Sequence, residues 1–356
     1  MSAEHDFARC RELLPGVSRT FSLTIRILPE RLRDAITVAY LMCRLADLFE
    51  DASGLDPRVR IVQLESIGLS LEDATPDPLT MSARINDELA EELDRAAGMR
   101  LLVERETVFR AYAALPGAVR EVLGRWIQAM ALGMASYVGR ELRPLPENPA
   151  GVRFVLETED ELRRYAYYVA GTVGHLLTEL FALELGRRVQ PSIEQMRSLA
   201  TPFGLGLQFT NILQDVAEDR RRGWSYLPEE SARRHGTSIL DQENPAARGP
   251  MLRAIGDLVK EAAAYLDQAI EFTLLLPRTA PRVRLFCLWP TFFALRTLGR
   301  IYAEEQVLRE KVRITRHEVR GMISATSLAC LSDRGLGWLY QRERARLTRR
   351  MELYPI

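Results

Sequence analysis

The sequence predicts an all-α protein with one core. Apolar residues recur at helical spacing through segments of twenty residues and more. Strand-type alternation is scarce, and proline and glycine mark most breaks between segments. No repeat of solenoid length interrupts this pattern, and no shift in composition divides the chain, so residues 1–356 read as a single domain of long helices.

In chain order, Asp6 to Leu14 reads as a short helix stopped by Pro15 and Gly16. The polar and basic run Ser18-Arg19-Thr20-Phe21-Ser22 precedes a short extended or helical piece to Leu28. Pro29 opens a strong helix over Glu30 to Ala52, because its fixed φ suits a first helical position. Ile36, Leu41, Leu45 and Leu48 give that helix its apolar side. Gly54 to Pro57 closes it, and Arg58 to Leu71 forms the next helix. A polar loop over Glu72 to Thr80 leads to helices at Ala83 to Ala97, Leu101 to Ala114 and Ala118 to Arg140. The proline-rich connection Arg143 to Pro149 precedes a helix over Thr158 to Leu185, then one over Ser192 to Arg221. Arg222 to Arg248 is mostly loop with one short helix, and helices at Met251 to Leu276, Arg282 to Glu305 and Glu318 to Arg349 complete the chain.

Composition narrows the function. A formal net charge of +0 and a pI near 6.9 give no domain-wide basic excess and no call for a nucleic-acid partner. Cys10, Cys43, Cys287 and Cys330 are far apart and form no C-x-x-C pair, and there are only four histidines. A zinc site is therefore not expected, and a reduced, cytoplasmic setting is. The first ten residues lack the order of a signal peptide, and the longest apolar patch, Leu285 to Leu295, is broken by Pro290 and Thr291, so no membrane span is expected. Arg342, Arg344, Arg346, Arg349 and Arg350 could meet anionic lipid peripherally, although a solvated basic helix end explains them as well.

The chemistry concentrates in two acidic stripes. Gln208, Asn211, Asp215 and Asp219 fall at i, i+3, i+7 and i+11, which lines four oxygen-bearing side chains along one helical face. Tyr40, Arg44, Asp47 and Asp51 repeat the geometry with an aromatic ring and a cation added. Both stripes contain D-x-x-E-D, at Asp47–Asp51 and at Asp215–Asp219. Carboxylates one turn apart repel unless a cation lies between them. Hard oxygens in a short row suit Mg²⁺, which also binds substrate phosphates. Arg220, Arg221 and Arg222 follow at once and could hold those phosphates. Facing one another across a cavity, the stripes could hold several Mg²⁺ ions around a diphosphate leaving group. A di-iron bundle would need Glu-x-x-His motifs, and none occurs. A third candidate is Tyr165-Ala-Tyr-Tyr-Val-Ala-Gly171-Thr-Val-Gly174. Tyr165 there could move a proton, and the glycines admit either an apolar ligand or a close-packed helix. His175 reads as a helix-face residue without a chemical role.

Five separated motifs resemble those of the squalene/phytoene synthase family of head-to-head prenyl transferases. They are Ser18-Arg-Thr-Phe-Ser22; Tyr40-x-x-x-Arg44-x-x-Asp47-x-x-Glu-Asp51; Tyr165-x-x-Tyr-Val-Ala-Gly171; Gln208-x-Thr-Asn-Ile-x-x-Asp215-x-x-Glu-Asp219; and Phe286-Cys-x-x-Pro290 with Val312-Arg-Ile-x-Arg316. Their order matches and they span nearly the whole chain. The resemblance implies an isoprenoid synthase fold around a central cavity, and condensation of two farnesyl diphosphates followed by NADPH-dependent reduction. A non-reductive family member that makes presqualene diphosphate, dehydrosqualene or phytoene is the alternative, and a non-catalytic prenyl-lipid-binding helical protein is a more distant one. The resemblance implies Mg²⁺ on Asp47, Asp51, Asp215 and Asp219. Tyr40 and Arg44 would assist departure of diphosphate, and Tyr165 would handle the proton. Ser18, Arg19, Ser22, Gln208, Asn211 and Arg220 would bind substrate, and Asn211, Phe286 and Arg313 would meet NADPH. Two positions depart from the pattern. Gln214 stands where a basic residue is usual, and Thr315 stands where the NADPH-using branch tends to carry a second arginine.

Overall fold

The structure is a computed structural model that describes residues 2–71, 96–143, 145, 151–241 and 244–355. The expected loop at Glu72 to Thr80, nearly all of the helix at Ala83 to Ala97, and most of the connection at Arg143 to Pro149 lie outside the described residues. The described residues are overwhelmingly helical: α1 (Ala3–Val17), α2 (Arg19–Arg26), α3 (Glu30–Glu50), α4 (Pro57–Leu69), α5 (Ala96–Val103), α6 (Arg105–Ala114), α7 (Gly117–Val138), α8 (Glu159–Ala166), α9 (Thr172–Leu185), α10 (Ile193–Arg221), α11 (Glu229–Arg234), α12 (Arg248–Leu275), α13 (Pro281–Ile301), α14 (Arg316–Ala329) and α15 (Asp333–Leu353). Two short strands, β1 (Phe154–Val155) and β2 (Trp224–Ser225), pair in parallel. Backbone contacts divide the chain into two compact units, Met1–Leu142 with Thr172–Pro191, and Arg143–Gly171 with Ser192–Ile356.

In the first unit, α1 runs through Pro15, where the sequence predicts a stop. Proline there removes one hydrogen bond in the last turn only, and the helix ends at Ser18, whose N–H reaches the Leu14 carbonyl at 3.0 Å. Ser18 then caps α2 by accepting from Phe21 N at 3.1 Å. The run that reads as extended or helical is therefore a helix with a serine start. Pro29 is the N-cap of α3 rather than its first residue. Leu41, Met42, Leu45 and Phe49 of α3 are buried, and α4 and α7 also pack together in this unit. At the end of α3, Arg60 of α4 is buried and donates to the carbonyls of Phe49, at 3.0 Å, and Glu50. It also pairs with Glu141 at 2.8 Å. Four carbonyls at any helix end lack intrahelical donors, and here a buried guanidinium supplies two of the missing bonds.

The second unit is built on the pairing of α10 with α12. Phe203 stacks on Phe272 with centroids 5.0 Å apart, and Phe209 meets Tyr265 edge-on at 5.4 Å. Glycine is required at two points on α10. A Cβ on Gly206 would lie 3.1 Å from the Leu266 backbone nitrogen, and one on Gly204 would lie 2.2 Å from the Ala170 carbonyl oxygen. Ala170 belongs to a π-helical turn, Tyr167–Gly171, that follows α8. The helix expected without interruption over Thr158 to Leu185 thus reads as α8, a π turn and α9. Such turns recur at functional sites. Gly223, with φ +79°, ends α10 in the left-handed region and turns the chain into β2.

Candidate active site

The first stripe lies on the last two turns of α3. Arg44 Nη1 donates to Asp47 Oδ2 at 2.8 Å, while Arg44 Nε is buried without a partner among the described residues. Asp51 is the C-cap residue. Burial raises the Asp47 carboxyl above the usual range, with the Asp51 charge adding and Arg44 opposing. Tyr40 is pushed up to about 12, chiefly by burial, and its hydroxyl bonds to Ser18. Its ring meets Phe21 at 5.3 Å. The structure therefore joins Ser18, Tyr40, Arg44 and Asp47 in one local cluster. Ser22 is buried on α2. Arg19 is the first residue of α2, and its side chain lies outside the described part.

The second stripe occupies the last turns of α10. Lys311, from the irregular segment before α14, places Nζ 2.5 Å from Asp215 Oδ1 and 3.5 Å from Glu218 Oε2. Burial raises the Asp215 carboxyl, and Lys311 opposes that shift. Several contacts fix the segment that delivers Lys311. Val307 and Val312 are buried, and Arg221 Nη2 donates to the Arg309 carbonyl at 3.0 Å. Arg221 thus helps to hold that segment, and Arg222 lies over the Trp224 ring at 5.9 Å. Gln208 is half-buried and Asn211 exposed on the same helix, and Arg220 stands in its last turn.

Both stripes stand at helix C-termini, where the macrodipole disfavours negative charge by about 0.3–1 kcal/mol per group. Carboxylates concentrated there make a place for cations. Asp215, Glu218 and Asp219 offer hard oxygen donors, and the Lys311 ammonium already stands in as a cation beside two of them, so the donor chemistry fits Mg²⁺. Among the described residues no three His, Cys, Asp or Glu side chains form a ready metal cluster. A bound ion would complete its shell with water or substrate oxygens, as Mg²⁺ commonly does.

Tyr165 is buried at the end of α8 and stacks on Tyr226, with centroids 4.6 Å apart and planes at 21°. Tyr226 follows β2 and packs edge-on to Phe154 at 5.7 Å. It also lines a small cavity with Ile212, Val216, Asp219, Trp224, Ser225 and Leu227. Tyr226 therefore connects the predicted proton-handling tyrosine to a wall that contains Asp219. Sequence reasoning missed Tyr226 and Lys311, because each acts through a contact between segments far apart in the chain. Arg60 was missed because it reaches back from α4 across the turn to the end of α3, and on to the distant Glu141.

Phe286 is buried in α13, and Arg313 is exposed on the segment before α14. Thr315 has a local role. Its hydroxyl accepts from Glu318 N at 3.2 Å, and Glu318 Oε2 accepts from Thr315 N at 2.8 Å. This capping box starts α14 at Arg316, two residues before the expected start. His175 stacks on Trp126 with centroids 4.8 Å apart.

The almost wholly helical architecture of the described residues defines a class, the isoprenoid synthase fold. Within that class the chain belongs to the squalene/phytoene synthase family, whose model, described as squalene/phytoene synthase, matches residues 14–318. The squalene synthase of Schizosaccharomyces pombe is 28% identical over 308 residues, which cover 86% of this chain and 62% of that protein. Squalene synthase ERG9 of Candida albicans is 29% identical over 315 residues, covering 87% and 65%. The chain thus spans a little under two thirds of the length of these curated relatives. In fold it is similar to the solved structure of TcSQS with the ligand BPH1237, with a TM-score of 0.79 at 23% identity over 97% of this chain and 96% of that one.

Proposed function

We propose that the chain condenses two farnesyl diphosphates head to head to presqualene diphosphate and reduces this with NADPH to squalene. The observation that carries the reading is the repeated D-x-x-E-D at the C-terminal ends of α3 and α10, each with a cation in contact through Arg44 or Lys311. Asp47 and Asp51, and likewise Asp215 and Asp219, would hold Mg²⁺, which would supply positive charge against the departing diphosphate. Arg44 offers its buried Nε–H to diphosphate oxygen, and Arg19 and Arg220 add charge. Tyr40 stays protonated at neutral pH and donates to the leaving group, with Ser18 orienting its hydroxyl. Ser22, Gln208 and Asn211 position the substrates. Tyr165, stacked on Tyr226, helps remove the proton lost as the cyclopropane closes, its hydroxyl passing a proton on to a diphosphate oxygen as it receives one. Apolar helix faces keep water from capturing the allylic cation. Asn211, Phe286 and Arg313 would hold NADPH, which would supply the hydride.

A second reading stops before reduction, giving presqualene diphosphate or dehydrosqualene, or phytoene from longer substrates. It is favoured by Thr315, which is engaged in the α14 cap where the NADPH-using branch tends to carry an arginine. Incubation with Mg²⁺ and farnesyl diphosphate, with and without NADPH, separates the two. Squalene formed only with NADPH supports the first reading, and a product indifferent to NADPH supports the second. Asp215→Asn is expected to lower pyrophosphate release at least about 100-fold, in the range that follows loss of a charge-stabilising group. Unchanged release would remove Asp215 from the reaction.

A further inference from the structure

The helical hairpin of α14 and α15 carries an exposed apolar tip inside a basic field. Leu328 is 85% exposed, Leu331 60% and Trp338 65%. Leu328 is the most exposed large apolar side chain among the described residues. Leu331 lies in the turn between the helices, and Trp338 lies about 9 Å along α15 from Ser332, at 1.5 Å per residue. Arg334, Trp338, Arg342 and Arg349 share the outward face of α15, and the Arg342 guanidinium lies 5.6 Å over the Trp338 ring.

Charge pairing on the hairpin is asymmetric. Glu318 pairs with Arg296 and Arg300, Asp333 with Arg278 and Arg284, and Glu343 with Arg296 and Arg346. Of the C-terminal arginines singled out in the sequence, Arg344 pairs with Asp267, Arg346 with Glu343, and Arg350 with Glu304. Arg316, Arg320, Arg334, Arg342 and Arg349 are exposed and make no ion pair among the described residues. The acidic groups are thus neutralised within the fold, apart from Glu352, while a set of arginines faces outward unpaired.

We propose that this hairpin docks on an anionic lipid bilayer. Leu328, Leu331 and Trp338 enter the region between headgroups and acyl chains, and Arg334, Arg342 and Arg349 meet lipid phosphates. Charge complementarity selects this occupant. Unpaired arginines need anions, and aliphatic side chains beside them need a hydrocarbon phase, and the surface of an anionic membrane supplies both. Among the described residues no helix is long and apolar enough to cross a membrane, and the hairpin would lie on the bilayer surface rather than span it. The inference stands apart from the enzymatic reading, since docking needs no substrate.

Trp338 is a built-in reporter, because Trp224 and Trp289 are buried and Trp126 is half-buried against His175. The full chain is mixed with vesicles of phosphatidylcholine alone, or of phosphatidylcholine with phosphatidylglycerol, and sedimented. The expected result is co-sedimentation with the anionic vesicles, a shift of tryptophan emission to shorter wavelength, and loss of that shift in Trp338→Phe. Arg334→Gln with Arg342→Gln should lower the partition about tenfold or more. Leu328→Ser with Leu331→Ser should also lower it about tenfold. These side chains are exposed, so the fold should survive, and unchanged helical circular dichroism checks that. A chain that stays in the supernatant with anionic vesicles overturns the proposal. So does binding that is indifferent to the leucines, or that leaves the emission unmoved. The chemistry is read separately by pyrophosphate release in vesicle-free solution.

Discussion

Asp47 and Asp215 occupy equivalent places in identical acidic patterns, yet they acquire their cations by different routes. The cation beside Asp47 is Arg44, one turn earlier on the same helix. The cation beside Asp215 is Lys311, brought in by an irregular segment 96 positions later in the chain. The first stripe is a local device, with its charge balance set once α3 forms. The second is complete only after the second unit has packed, when Val307 and the Arg221–Arg309 bond have fixed the segment. Even the first is not self-sufficient, since Arg60 of α4 secures the carbonyls at its end.

The largest test of this contrast is Arg60→Met. It leaves Glu141 and two helix-end carbonyls without their buried donor, and a loss of about 3–5 kcal/mol is expected from chemical denaturation. A loss below about 1 kcal/mol would mean that α3 holds its end unaided. Next is Lys311→Met. Asp215 then keeps its half-buried site without the ammonium that touches it, and stability in the presence of chelator should fall by about 1–3 kcal/mol. Added Mg²⁺ should restore more of the melting temperature in the variant than in the parent. Equal restoration in both would show that Lys311 does not share its place with a metal.

The pH dependence follows from the directions of the shifts. Asp47 and Asp215 both sit above their ordinary carboxylate value in the folded chain. The folded state therefore holds their protons more tightly than the unfolded one. Their stabilising contribution is full below the unfolded value, near 3.8, and is lost as pH rises through the raised folded values. In chelator, Asp47→Asn and Asp215→Asn should each flatten that decline, and a steeper decline in either would reverse the sign argued here.

The smallest effect concerns the route to Lys311. Ala303 takes φ 59°, a left-handed conformation that costs a residue with Cβ, just after α13. Ala303→Gly should relieve this strain, offset in part by a freer unfolded chain, for a net gain of up to about 1 kcal/mol in thermal melts. No gain, or a loss, would mean that the turn is unstrained.

The same contrast explains what the sequence disclosed. Helix faces obey a fixed period, so the two stripes, the Arg44–Asp47 pair and most helices could be read from spacing. The short helix in the Arg222 to Arg248 loop is α11. Proline at Pro15 was misleading because a lost hydrogen bond near a helix end costs little. Thr315-Arg-His-Glu318 has the local spacing of a capping box, a signal the sequence does carry. Lys311, Arg60 and Tyr226 could not be read, since no local period relates residue 311 to 215, 60 to 49, or 226 to 165. The π turn at Tyr167–Gly171 was hidden as well, and the close approach of Gly204 to the Ala170 carbonyl joins it to a helix that no local period relates to it.

The strand pair offers a last consequence. Arg153 N and Phe154 N both donate to the Gly223 carbonyl, at 2.7 and 3.2 Å, and Leu156 N donates to the Ser225 carbonyl at 3.2 Å. These bonds run from peptide to peptide and ignore side-chain identity. The clasp that carries Tyr226 can therefore persist while Phe154 and Val155 drift through mutation. Only an imino acid at 153, 154 or 156 would take away a donor. Descendants of this chain are free to remodel the lining of that recess while its anchorage stays put.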